Sequence, residues 1–234
     1  MFRKAIDSYT NLMKTKEREL KKAFIQWIDN KLKGDKSLAM EVGTYLHHRL
    51  KIVDVLVTNG HTYAFELKSE ADTLERLQDQ VDHFSKFYDY VYVVYWRDKF
   101  QIDFLDNNIG LIEAFRQNGK IRFKIVKKAR INRNLDIRSM ISMWWTNETR
   151  LYVKEKGLLN ASEKELKKLD KEKLGDIIFR KCSKRQIIKA FRYFMKHRFM
   201  GCYQQYKKLD DLSVFTEFKK DYEYLNLLDP NTLP

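Results

Sequence analysis

The chain has 234 residues, of which 46 are lysine or arginine and 32 are aspartate or glutamate, so its formal net charge is +14 at pH 7. With 44% hydrophobic residues, 33% charged residues and only two prolines, the composition excludes collagen-like, low-complexity and disordered proteins. No apolar run reaches the roughly 18 residues of a membrane span, and the charged N-terminus does not resemble a secretory signal. Two cysteines are too few for a disulfide framework, so we expect a cytoplasmic protein.

The charge balance indicates the class of partner. Domains as basic as this one, with a pI near 9.5, usually bind polyanions, and nucleic acid is the commonest of them. We therefore expect a nucleic acid, most of all DNA, as the partner, and no membrane.

The first elements alternate between helical and strand periodicity. Residues 17–32 place apolar side chains at helical spacing, which predicts an amphipathic helix. Residues 50–57 and 62–69 are rich in β-branched and aromatic residues, which is typical of strands. Asn59 and Gly60 stand between these two segments, and an Asn-Gly pair is the strongest short signal for a β-hairpin.

A second helix and further strands are predicted after the hairpin. Residues 72–88 return to helical spacing, with Asp72 as the expected N-cap. The apolar run at 90–96 has the length of a strand buried on both faces. Less regular strands are expected at 100–105 and 121–127. This order predicts an α/β fold, a small mixed β-sheet flanked by helices.

The chain is expected to divide into a core at 1–132 and a mostly helical, basic region at 133–234. Within the second part, a helix is predicted at 184–198, and no acidic residue occurs between Ile177 and Leu209. Four basic residues repeat at the spacing of one helix face, namely Arg185, Lys189, Arg192 and Lys196. This face is predicted to contact nucleic acid, with a plain solvated surface as the alternative.

The sharpest chemical feature is a pair of carboxylates on the predicted hairpin. Asp54 interrupts the apolar run at 52–57, where a carboxylate is costly to bury unless it is paired or bound to a cation. The tight turn can bring Asp54 beside Glu66, and strand alternation places Lys68 on the same face as Glu66. Two carboxylates form a hard oxygen site suited to Mg²⁺ or Mn²⁺, and a lysine there can orient or deprotonate a water.

The hairpin resembles a known catalytic core. The residues that carry the resemblance are Asp54, Glu66-Leu67-Lys68-Ser69, Asp72, Leu74, Arg76, Leu77 and Gln80. They resemble the PD-(D/E)xK, or restriction-endonuclease-like, phosphodiesterase superfamily, and more narrowly a group of poorly characterised bacterial and phage nucleases. The resemblance covers roughly residues 40–112. It implies a restriction-endonuclease-like core and Mg²⁺-dependent hydrolysis of DNA phosphodiester bonds, and it allows a homodimer.

The resemblance also implies roles for single residues. Asp54 and Glu66 would bind the metal ion, with the carbonyl of Leu67 as a further ligand. Lys68 would be the catalytic lysine, which positions the attacking water.

Two more site residues follow from the same resemblance. Glu41 would be the upstream acidic residue, and Gln80 would be the glutamine that borders the active site in the exonuclease-like branch. The sequence departs from the family pattern at two positions, because Val53 replaces a proline and Phe84 replaces a tyrosine. The second departure removes a hydroxyl, and with it any role that the hydroxyl has in that branch.

Arg49 and Arg76 flank the carboxylate pair and are predicted to contact phosphates. A charged edge strand explains Arg49 equally well. Arg76 could instead lie on a solvated helix surface or pair with a carboxylate of the site. The histidines lack the spacing of a zinc site and are expected at the surface, namely His47, His48, His61, His83 and His197.

Two other functions fit the same pattern. One is a nucleic-acid-binding protein that keeps the fold without turnover. The other is a regulatory or interaction protein, for instance in phage–host conflict, whose basic region binds an acidic protein. Cleavage of DNA in Mg²⁺ or Mn²⁺ would separate the nuclease from the first, and binding of duplex DNA at low salt would separate both from the second.

Overall fold

A computed structural model describes residues 2–46, 49–216, 224–225, 228 and 233–234. Within these ranges, side chains are described from residue 16 on, except for the side chain of residue 216. The fold is α/β. A six-stranded mixed sheet has helices against it, and a helical region follows the sheet. The predicted fold class is confirmed.

Six strands and eight helices are described. In chain order they are α1 (Phe2–Lys31), β1 (Ser37–Leu46), β2 (Arg49–Thr58), β3 (Thr62–Lys68), α2 (Leu77–Phe84), β4 (Tyr90–Trp96), β5 (Gly110–Gln117), β6 (Lys120–Lys127), α3 (Ile137–Ser142), α4 (Thr146–Glu155), α5 (Glu163–Lys168), α6 (Lys171–Lys181), α7 (Lys184–Leu209) and α8 (Ser213–Thr216).

The strands lie in the sheet in the order of the chain. Strands β1, β2 and β3 pair antiparallel, β3, β4 and β5 pair parallel, and β6 returns antiparallel to β5. The predicted hairpin is β2–β3. Its turn contains Gly60 at φ +92°, a left-handed conformation that glycine adopts without steric cost. The hairpin confirms that the chain reverses between the two carboxylate-bearing strands.

Helix α1 packs across the sheet through aromatic contacts. The ring of Phe24 is fully buried and lies 5.1 Å from the ring of Phe65 on β3 and 5.4 Å from that of Phe123 on β6. Edge-on aromatic pairs of this kind add about 0.5–1.5 kcal/mol to the burial of their area. They fix the helix so that Lys21, one turn before Phe24, faces β1 and β2.

One strand prediction is wrong, and two strands were missed. Residues 100–105 form no strand but a loop before β5, and their apolar character is explained by burial of Phe100, Ile102 and Leu105. Strands β1 and β5 were not predicted. Strand β1 contains Gly43 and is exposed at alternate positions in its second half, so no continuous apolar run marks it.

Helix α2 is shorter than the predicted 72–88, and Asp72 is not its N-cap. The carboxylate of Asp72 accepts hydrogen bonds from the backbone N–H and hydroxyl of Ser69, at 2.7 and 2.6 Å. It therefore closes the turn directly after β3. The helix begins at Leu77, five residues after Asp72, with Arg76 at the N-cap position and no side-chain cap.

The basic helix predicted at 184–198 is the first half of α7, which continues to Leu209. Helix α7 packs against β1, and its buried side chains join those of the sheet in one hydrophobic core. The domain boundary near residue 132 stays a prediction. Within the described part of the chain, no helix combines the length and the apolar character needed to cross a membrane.

Candidate active site

A cavity of about 430 Å³ opens where β1, β2, β3 and α2 meet. A larger apolar groove of about 680 Å³ adjoins it and shares Glu41, Leu50 and Ile52 with it. The smaller cavity is lined by four of the five predicted catalytic residues, and Lys68 is the one that does not line it. It is lined by Glu41, Leu50, Lys51, Ile52, Asp54, Glu66, Arg76 and Gln80.

Asp54 lies on β2 and reaches β3 through a backbone hydrogen bond. The N–H of Leu67 donates to Asp54 Oδ2 at 2.8 Å, and the Nζ atom of Lys21 lies 3.3 Å from Asp54 Oδ1. Burial raises the pKa of Asp54, while Lys21 and the Leu67 N–H act in the opposite direction. Asp54 and Glu66 thus occupy neighbouring strands at the same cavity.

Glu66, Lys68 and Gln80 form a closed triangle of hydrogen bonds. Lys68 Nζ donates to Glu66 Oε1 and to Gln80 Oε1, both at 2.9 Å, and Gln80 Nε2 donates to Glu66 Oε1 at 2.6 Å. Only 3% of Glu66 is exposed. Burial and the nearby Asp54 raise the pKa of Glu66 to about 7, against the opposing effect of Lys68. Glu66 and Gln80 line the cavity, and the buried Lys68 contacts both of them.

The second oxygen of Glu66 is a buried acceptor without a hydrogen-bond partner in the part of the chain that the structure describes. Both oxygens of this carboxylate face a low-dielectric environment, but only Oε1 is satisfied. An unsatisfied buried carboxylate oxygen costs free energy unless a proton or cation compensates it. Hard cations such as Mg²⁺ bind carboxylate and carbonyl oxygens. The donor set of Asp54, Glu66 and the Leu67 carbonyl therefore fits such an ion.

The site offers few side-chain ligands beyond those two carboxylates. Among the residues that the structure describes, no group of three or more Asp, Glu, His or Cys side chains is arranged to hold a metal ion. An ion bound here would complete its shell with the backbone carbonyl and with water, as Mg²⁺ commonly does.

Glu41 lies at the rim of the cavity in an unusual backbone conformation. It stands in the middle of β1 with φ +53°, where a residue with a Cβ atom is strained by about 1–3 kcal/mol. Its carboxylate lies 3.1 Å from the Nζ atom of Lys21, which stands between Glu41 and Asp54. Glu41 is therefore part of the cluster, but it reaches Asp54 through a lysine.

Lys21 and Glu17 of α1 are members of the cluster that the sequence analysis missed. Burial by itself would lower the pKa of Lys21, but Asp54 and Glu17 outweigh it, so the pKa is raised above its usual value. One signal was available. Lys21 shares its helix face with the buried Ile25 and Ile28, and a lysine within a buried stripe calls for a charged partner.

The residues predicted to contact phosphates differ in their exposure and in whether they pair with a carboxylate. Arg76 is exposed and lines the cavity, and Arg49 is exposed at the start of β2. Arg185 and Lys189 are exposed and line a separate depression of about 480 Å³ on α7.

The other two cations of the α7 face are engaged in ion pairs. Arg192 pairs with the buried Asp89 through two hydrogen bonds, and Lys196 pairs with Asp35. The face predicted from helical spacing is therefore divided between two exposed cations, Arg185 and Lys189, and two that pair with carboxylates, although Arg192 also lines the α7 depression.

One histidine prediction is wrong. His83 is buried on α2, where its ring lies 2.9 Å from the hydroxyl of Thr44 and against Phe84 and Phe87. His47 and His48 lie outside the described residues.

The raised pKa of Glu66 predicts how stability depends on pH. Because the folded-state pKa is about 7 and the ordinary value is 4.5, the folded protein binds the proton more tightly than the unfolded chain. The free energy of unfolding should therefore fall as pH rises from about 4.5 through 7, and then level off. Urea unfolding between pH 4.5 and 8 measures this slope.

Glu66→Gln is the matched control for the pH dependence, since glutamine keeps the shape and cannot titrate. Its slope should be shallower than that of the wild type, with the remainder due to Asp54, whose pKa is also raised. Equal slopes for the two proteins would contradict the assignment.

The fold and the site define an α/β protein with a carboxylate–lysine cluster at a sheet cavity. The model of the Bacteriophage P4 protein cII family matches residues 11–215, and the chain belongs to this family. Membership of a phage family agrees with the phage part of the predicted resemblance.

Two similar proteins can be compared in more detail. Protein cII of Enterobacteria phage P4 is 30% identical over 120 residues, which are 50% of this chain and 44% of that protein. The chain thus matches less than half the length of this relative. The solved structure of the SPO1766 protein of unknown function from Silicibacter pomeroyi is 17% identical, with a TM-score of 0.33, and the match covers 55% of this chain and 84% of that one.

Proposed function

We propose that the protein is a metal-dependent nuclease that hydrolyses phosphodiester bonds of DNA. The observation that carries the proposal is that Asp54 and Glu66 line one cavity and Lys68 donates to Glu66, while Glu66 Oε2 is buried and has no hydrogen-bond partner among the described residues. These residue types in this arrangement are those of the PD-(D/E)xK nucleases, which the hairpin resembles.

Asp54, Glu66 and the carbonyl of Leu67 are the groups that would hold Mg²⁺ or Mn²⁺. When bound, the ion would supply a Lewis acid for the scissile phosphate and for the attacking water. Both carboxylates keep free lone pairs for this role, because an ionised carboxylate accepts up to about four hydrogen bonds or ligands.

Lys68 would orient the attacking water and stabilise the charge that develops on the phosphate. Its ammonium group is held in place by Glu66 and Gln80, each at 2.9 Å, so little freedom is lost when a substrate arrives. Gln80 has a positioning role in this scheme, since its amide bridges the carboxylate and the lysine.

Exposed cations would bring the DNA to the cavity. Arg76 lies at the cavity wall and Arg49 nearby on β2, where both can reach phosphates that flank the cleaved bond. Arg185 and Lys189 offer a second contact on α7. Contacts of this kind make binding steeply dependent on salt.

A cleavage assay tests the proposal. The full chain is incubated with supercoiled, linear and single-stranded DNA in Mg²⁺, Mn²⁺ or EDTA, with a Lys68→Met variant purified in the same way as the control for contaminating nucleases. We expect cleavage of at least one substrate by the wild type in Mg²⁺ or Mn²⁺ and none in EDTA. Binding of DNA without cleavage in either metal would overturn the proposal and support a non-catalytic nucleic-acid-binding protein.

A further inference from the structure

The ammonium group of Lys21 is enclosed by three carboxylates. Its Nζ atom lies 2.8 Å from Glu17 Oε1, 3.1 Å from Glu41 Oε1 and 3.3 Å from Asp54 Oδ1. Only 9% of the side chain is exposed. A lysine buried to this degree remains charged only where acids compensate it, and here three do so.

Lys21 lies beside the metal ligands proposed above but on another side of Asp54. Asp54 Oδ1 faces Lys21, whereas Asp54 Oδ2 accepts the hydrogen bond from Leu67 on the strand that carries Glu66. The oxygens of Asp54 and Glu41 would together suit a hard cation, since both are carboxylates. The ammonium group already lies between them.

We infer that Lys21 is a built-in cation of this cluster, which takes the place of a second divalent ion between Asp54 and Glu41. The inference rests on the proposed metal-dependent function. It means that the cluster binds one ion, on the side of Glu66, and that Lys21 holds Asp54 and the strained Glu41 in position. Lys21 is thus a positioning residue with two effects. Its hydrogen-bonding contacts hold the carboxylates in place, and its positive charge weakens the binding of a metal ion.

Titration with Mn²⁺ in the absence of DNA tests the inference without any activity measurement. Calorimetry and electron paramagnetic resonance should show one tightly bound ion in the wild type. Lys21→Met removes a positive charge that lies 3.3 Å from Asp54 Oδ1, so Mn²⁺ should bind at least about tenfold more tightly. Lys21→Arg keeps the charge and should bind Mn²⁺ as the wild type does.

Lys22→Met is the matched control. Lys22 is the next residue on α1, but its side chain is 45% exposed and pairs with Asp210, so its loss removes one charge without touching the cluster. Its Mn²⁺ affinity should remain that of the wild type. If Lys21→Met proves too unstable for calorimetry, Lys21→Gln should show the same gain, read as a larger rise in melting temperature on adding Mn²⁺.

The possible results separate this inference from the proposed function. Two coupled Mn²⁺ ions in the wild type would overturn the inference alone, and so would a Mn²⁺ affinity that Lys21→Met leaves unchanged or weakens. A wild type that binds no Mn²⁺ would overturn both the inference and the metal-dependent nuclease.

Discussion

Replacing Lys68 by methionine is expected to slow DNA cleavage in Mg²⁺ by about 10²–10⁴-fold, the usual contribution of a residue that positions or transfers a proton. Methionine has a similar length but no charge, so the loss falls on the orientation of water and on stabilisation of the developing charge. Single-turnover cleavage with saturating enzyme measures the chemical step apart from binding.

DNA affinity should change little in the same variant. Lys68 is buried among Glu66 and Gln80, whereas the exposed cations of the cavity rim and α7 make the contacts available to DNA. Lys167→Met, which removes an exposed lysine paired with Glu163 on α5, is the matched control and should cleave at the wild-type rate. Equal cleavage by Lys68→Met and wild type would remove Lys68 from the mechanism.

The hairpin could be predicted from sequence because its determinants are local. Asn59 and Gly60 set the turn, and strand alternation then places Glu66 and Lys68 on one face. The position of Asp54 beside Glu66 can be predicted as well, since a tight turn fixes the register of the paired strands. The part of the site that depends on neighbouring residues was therefore accessible without coordinates.

The rest of the site depends on contacts between distant segments. Lys21 meets Asp54 only because α1 crosses the sheet, and periodicity predicted that helix without saying which strand its charged position faces. Glu41 meets Lys21 because β1 pairs with β2, and β1 has no continuous apolar run to mark it. A pattern within one segment cannot specify its partner.

The basic face of α7 is a second example of a contact that sequence periodicity cannot predict. Helical spacing correctly placed Arg185, Lys189, Arg192 and Lys196 along one helix, but it could not show which of them meets a carboxylate. Asp89 lies 103 positions before Arg192 in the chain and directly before β4. Only the packing of α7 against the sheet brings Arg192 to Asp89, and the ion pair makes this arginine less available to DNA.

Replacing Arg192 by alanine is therefore expected to destabilise the fold by about 3–5 kcal/mol, the usual result of removing one partner of a buried ion pair. Asp89 is 1% exposed and accepts two hydrogen bonds from Arg192, at 2.9 and 2.6 Å. It also accepts from the N–H and hydroxyl of Thr62 at the start of β3, at 2.8 and 2.9 Å. Without Arg192, the buried carboxylate loses its counter-charge.

Urea unfolding of Arg192→Ala, with Arg185→Ala as the control on the same helix, measures this difference. Arg185 is exposed and lines the α7 depression, so its loss should change stability by less than about 0.5 kcal/mol while reducing the salt dependence of DNA binding. The double variant Asp89→Asn with Arg192→Met should recover part of the stability, because neither charge then remains buried alone. An Arg192→Ala variant that is as stable as the wild type but binds DNA more weakly would reverse this assignment and make Arg192 a phosphate contact.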